Sequence, residues 1–141
     1  MFATLAGALP QPKGEASTLP DGVATAISLQ VELGLEPVTD GDLRGEPLVT
    51  TALGLEGVVL GRAGAPVVAS PEAIRWSVPI HLERWRRAAA LTARPVKQLV
   101  GGPYSLALLL APDAPERKRR ALTLGLAESL VAALRALASA G

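Results

Sequence analysis

No cysteine occurs in the 141 residues, and histidine, methionine, tyrosine and phenylalanine occur once each. The missing cysteines exclude disulfides and thiolate catalysis, and they suit a cytosolic protein. An excess of either charge is also lacking: 14 Lys and Arg against 13 Asp and Glu leave a net charge of +1. That balance argues against a nucleic-acid surface, as does the absence of any basic stretch interleaved with aromatics. Arg117-Lys118-Arg119-Arg120 is the nearest candidate and reads as a solvated helix face. No run of about 18 uncharged apolar residues occurs, so no membrane span is expected. The start, MFATLAGALPQP, lacks the charged region of a signal peptide. His81 stands near an expected helix start and reads as structural or solvated, not as a ligand. What remains is apolar: 49% hydrophobic residues, a mean hydropathy of +0.32 and only 19% charge. This is one domain of ordinary size with ample core and some apolar surface in want of a partner.

The chain is organised around Arg94–Ala111, RPVKQLVGGPYSLALLLA. Val96–Val100 reads as a short buried strand, Gly101-Gly102-Pro103 as its turn, and Ser105–Leu110 as the start of a helix. Helical stretches flank the strand, and helix–strand–helix is the grammar of a parallel sheet. A glycine pair at a strand's carboxyl end lets backbone approach a ligand closely; the plainer reading is a tight turn. Earlier, Phe2–Leu9 is a first strand, and Asp21 caps a helix running to about Leu33 with Gly34 at C′. Leu35–Thr39 is a second strand, weakened by Pro37. Asp40-Gly41-Asp42-Leu43-Arg44 follows it, a loop carrying two carboxylates that also fits an ordinary Asp-Gly turn. Leu48–Leu53 is a helical turn, and Gly57–Ala69 a hairpin around Arg62. A helix spans Pro79–Ala93 with Leu82, Trp85, Arg86 and Ala89 along one side. The final helix has Asp113 and Glu116 in a capping-box pattern and leucines at 122, 126, 130, 134 and 137. It runs to Ser139, about 37 Å at 1.5 Å per residue.

In this order the segments resemble the opening of the catalytic barrel of cobalamin-independent methionine synthase, a TIM-barrel family related to uroporphyrinogen decarboxylase. Thr4-Leu-Ala-Gly-Ala-Leu-Pro-Gln11 is similar to the family's T-x-x-G-S-x-P strand and turn. Gln30-Val-Glu-Leu-Gly-Leu35 with Asp40-Gly-Asp42 is similar to Q-x-x-x-G-L-D followed by D/H-G-E. Arg62 lies in the hairpin region, Trp85 in the next helix, and Val96-Lys97 with Gly102-Pro103 resembles V-K-x-x-x-T-G-P. Family members continue past a helix like the last one into a strand reading I-Q-I-D-E-P.

The resemblance implies an α/β fold: the amino-terminal portion of a (βα)8 barrel, with about three parallel strands and a long terminal helix. Residues 1–141 would be the incomplete first part of one barrel domain, since a full barrel takes about 250 residues. It implies methyl transfer to a thiol such as homocysteine, which zinc holds as thiolate. Gly7 and Ala8 would bind the substrate carboxylate through turn amides, Asp42 its ammonium group, and Arg62 would lie on the methyl-donor side. The family's zinc ligands, His, Cys, Glu and Cys, belong to later strands, so no metal site is expected here. The partners implied are a small-molecule thiol and a methyl donor, folate or corrinoid, with no nucleic acid and no membrane. Self-association or a missing barrel half is expected, in the cytoplasm. Several positions depart from the pattern: Ala8 replaces serine, Asp42 glutamate and Gly101 threonine, and Leu109 stands where folate-using members carry tryptophan. Two rivals stand beside this reading. One is a non-catalytic half-barrel subunit for binding or assembly; the other is a decarboxylase-like relative with an arginine-lined pocket.

Overall fold

The computed structural model of the chain describes residues 3–4, 9, 19–43, 47–61, 66–68, 74 and 80–141. It is a mixed helix and strand structure that divides into two compact units, residues 1–45 with 83–99 and residues 46–82 with 100–141.

In the first unit, α1 (Leu19–Glu32) begins before Asp21, which therefore stands in the first turn and not at the N-cap. Its end follows the expectation. Gly34 has φ 72°, Gly34 N–H donates to Val31 O and Leu35 N–H to Gln30 O. These paired bonds form a Schellman motif, and the left-handed residue inside it costs a glycine nothing. Val23 and Ile27 on α1 pack with Val38 and Ala88, and Val31 and Val96 close the cluster.

The strands expected at 35–39 and 96–100 shrink to one parallel bridge, Val38 with Val96. Val38 N–H donates to Pro95 O at 2.9 Å, and Lys97 N–H donates to Val38 O at 2.8 Å. The physical reason lies in the flanking residues. Pro95 has no N–H with which to extend the ladder backward. On the other side of the segment, both backbone groups of Thr39 are taken by the Gln30 side chain. Of the first expected strand, Ala3 O accepts from Glu36 N–H, and Leu9 N–H donates to Gly41 O. Phe2 and Leu5–Ala8 lie outside the described residues.

The second unit holds α2 (Pro47–Leu53) and an antiparallel hairpin of β1 (Val58–Leu60) and β2 (Pro66–Val68), as the sequence predicts. Arg62, in its connection, lies outside the described residues. Among those residues the hairpin is the regular sheet. α4 (Pro103–Leu110) packs with α5 (Glu116–Ala140) around Ala52, Leu55, Leu106, Ala107, Leu110 and Leu126.

α5 starts at Glu116 with Pro115 at its N-cap and no side-chain cap, so the Asp113 capping box does not form. The residue before a proline is driven out of the helical region. Ala114 therefore cannot be the first helical residue, and the start slides past Pro115. The leucine stripe also turns. Leu126, Leu130 and Ala133 are buried, whereas Leu134 is 47% exposed. Steps of four overshoot a turn of 3.6 residues, so three in a row carry the stripe off the core face. By length and composition α5 is apolar enough to cross a membrane, with Glu128 and Arg135 inside it.

The helix expected at Pro79–Ala93 is α3 (Ile80–Ala89), and its buried side is one residue out of step with the expectation. His81, Arg84 and Ala88 are buried; Leu82, Trp85 and Ala89 are half-buried, and Arg86 is exposed.

Candidate functional site

Two buried carboxylates face the carboxyl side of Val38, in the turn Thr39–Leu43. The turn is built from Gln30. Its Nε2 donates to Thr39 O and Ala26 O, and its Oε1 accepts from Thr39 N–H, each at 2.9 Å. A buried side-chain amide thus supplies both bonds that a neighbouring strand would have made. Thr39 Oγ1 accepts from Gly41 N–H at 3.0 Å, and Asp40 Oδ1 accepts from Asp42 N–H at 3.1 Å. Each is a short-range side-chain turn of the kind Asp and Thr favour.

Gly41 has φ 74° and Asp42 φ 51°. A Cβ on Gly41 would lie 3.1 Å from Ala26 Cβ and 3.2 Å from Leu9 Cδ1, so any other residue would be strained by the backbone and would have to press these neighbours back. Asp40 is 4% exposed and Asp42 5%. Asp40 Oδ2 is buried and has no hydrogen-bond partner among the described residues. Burying an acceptor with formal charge is expensive unless a cation or donor meets it. A cation or a donor is the partner that this oxygen lacks. The Asp-Gly turn and the candidate carboxylate of the sequence reading are the same feature.

Thr4, in the first motif, donates from Oγ1 to Pro37 O at 2.6 Å, and Leu9 reaches Gly41. The ends of the expected first strand are thus tied to the segment carrying Asp40 and Asp42. Gly7 and Ala8 lie outside the described residues, as does Arg62. Trp85 Nε1–H donates to Val96 O at 3.1 Å and pins α3 to the bridge.

In the second unit, Thr51 Oγ1 lies 3.3 Å from His81 Nε2 and accepts from Gly101 N–H at 3.3 Å. The lone histidine is 2% exposed and braces the Gly101-Gly102 turn. A Cβ on Gly101 would stand 3.1 Å from Leu48 Cδ2 and 3.2 Å from Thr51 Cβ and Cγ2. A side chain here would have to press Leu48 or Thr51 back by a few tenths of an ångström. A groove of about 560 Å³ also opens in this unit, lined by Val68, Ile74, Leu110, Leu122 and Leu126 with Lys118 at its edge.

The zinc implied by the resemblance was tested against the donors present. Tetrahedral protein zinc takes four ligands from Cys, His and carboxylates. The chain has no cysteine, and its single histidine is committed at Thr51. Among the described residues no group of three or more His, Asp or Glu could hold a metal ion. These residues do not fit the ion.

Sequence reasoning missed Gln30 as the organiser of the turn, Thr51 as the partner of His81, and Arg84 as a buried cation. Gln30 was visible as a polar residue on the apolar side of α1, which is the signal of a satisfied buried amide.

Neither a protein-family profile nor a curated protein matches the chain. Its fold is similar to that of a solved B12-independent methionine synthase from Shewanella sp. W3-18-1, in complex with selenomethionine. The TM-score is 0.82 at 21% identity, over 99% of this chain and 48% of that one. The chain thus shares the fold of that methionine synthase and spans about half its length.

Proposed function

We propose that this chain is the amino-terminal portion of a methionine synthase-like (βα)8 barrel, supplying about three strands and working in methyl transfer to a thiol such as homocysteine. The observation that carries this reading is the fold likeness across 99% of the chain, with buried Asp40 and Asp42 at the carboxyl side of Val38. Chemistry in such barrels is done at the carboxyl ends of strands.

In this reading Asp42 takes the ammonium group of an amino-acid substrate, and Asp40 adds a second carboxylate to the same wall. The turn amides at Gly7 and Ala8 take the substrate carboxylate, and Arg62 lies toward the methyl donor. The glycine at 41 and the Gln30 clamp hold the wall rigid, which orients the substrate before reaction. Thiol activation belongs to residues outside this chain, because its own donors do not fit zinc. The chain alone is inactive, works in the cytoplasm, and acts beside a second barrel half.

Calorimetric titration with L-methionine, the product such a site would hold, tests the reading. The chain binds, and Asp42→Asn weakens binding tenfold or more while the melting temperature stays within a few degrees. Equal affinity in the variant would overturn the assignment. The absence of cysteine favours one second reading, a non-catalytic half-barrel that serves assembly. It predicts no heat with methionine.

A further inference from the structure

α5 carries a second apolar stripe, away from the core. Leu124, Val131 and Leu134 are 57%, 43% and 47% exposed, and Ala138 is exposed with Ala127 half-buried beside them. The series 124, 127, 131, 134, 138 alternates steps of three and four, the seam spacing of a two-helix coiled coil. It lies roughly a third of a turn around the helix from buried Leu126, Leu130 and Ala133. The two alanines leave room for another helix to come close.

We propose that this stripe is the interface between two copies of the chain, packed antiparallel across a two-fold axis at Val131. The argument for a second copy is charge complementarity. Glu128 and Arg135 are the charged residues between 121 and 140, both are exposed, and they flank the seam on one side. An antiparallel pair centred on Val131 sets Glu128 of one copy against Arg135 of the other, twice. A parallel pair in register offers neither residue an opposite charge. A two-fold interface of this kind is self-complementary by construction. A bilayer would instead have to accept both charges within its apolar span. The inference is independent of the amino-acid site.

Sedimentation equilibrium on the full chain, from low micromolar to millimolar concentration, tests it. The expected result is a reversible dimer. Glu128→Arg and Arg135→Glu each weaken it by roughly tenfold or more, and the double variant restores it. Circular dichroism melting of each variant checks that the fold persists. The cysteine-free background supplies a second readout. Val131→Cys, on the axis, oxidises to a linked dimer, and Leu124→Cys does not, since it faces Ala138 of the other copy. A monomer at every concentration overturns the proposal. So does a dimer indifferent to the charge swaps, a linked dimer from Leu124→Cys, or monomers that float with phosphatidylglycerol vesicles.

Discussion

Replacing Gln30 by leucine removes three hydrogen bonds and strands the N–H and C=O of Thr39 in the interior. Each buried backbone group left without a partner costs about 1–3 kcal/mol. Gln30→Leu is therefore expected to lose roughly 2–5 kcal/mol in urea unfolding, and to lose the ordered turn at Asp40–Asp42 with it. Gly101 offers a paired test. Gly101→Ala must push Leu48 or the stiff Thr51 side chain aside and costs about 1–3 kcal/mol. Gly102→Ser meets nothing within 4 Å, supplies an N-cap side chain to α4, and stays within about 0.5 kcal/mol. A Gly101→Ala protein as stable as the parent would mean that the turn is looser than these distances state. At this scale the sequence showed the turn residues but not their partners. Asp40-Gly41-Asp42 is legible because Gly and Asp favour left-handed backbone locally. That Gln30 would reach across nine residues to clamp it depends on packing, which no local pattern carries.

Helices were legible where periodicity and caps agreed. α1 ends at Glu32, just before Gly34, because a glycine after an apolar stripe is a C′ signal with its own hydrogen bonds. The start of α5 was misplaced because the capping-box pattern competed with Pro115, and the backbone restriction before proline outweighed a side-chain cap. The parallel ladder stops for a related reason: Pro95 withholds the next donor on its strand. On α3 the buried side is read one residue late, because Arg84 and His81 are interior and no hydrophobicity count would place them there. α5 also separates two faces that a stability measurement can tell apart. Leu126→Ala, at a position 1% exposed, is expected to destabilise the monomer by about 2–5 kcal/mol. Leu124→Ala, on the outer stripe, leaves monomer stability within about 0.5 kcal/mol. Equal losses from the two would contradict the division of faces.

The molecule as a whole has two compact units, and its fold matches about half of a methionine synthase chain. The sequence reading takes residues 1–141 as the amino-terminal part of such a barrel from the order of its motifs, T-L-A-G-A-L-P, Q-V-E-L-G-L with D-G-D, and V-K with G-P. The donor set does not fit zinc. Equilibrium dialysis against zinc should accordingly find no stoichiometric binding by this chain; a stoichiometric ion that survives His81→Ala would contradict it. The central claim is that the Thr39–Leu43 turn receives the amino-acid part of a substrate. Amide chemical shifts of the nitrogen-15-labelled chain during titration with L-methionine test it most directly. The account predicts saturable shifts at Gly41, Asp42 and Leu43, none along α5, and their loss in Asp42→Asn. Methionine that moves no amide of the turn, or moves them equally in Asp42→Asn, would contradict it.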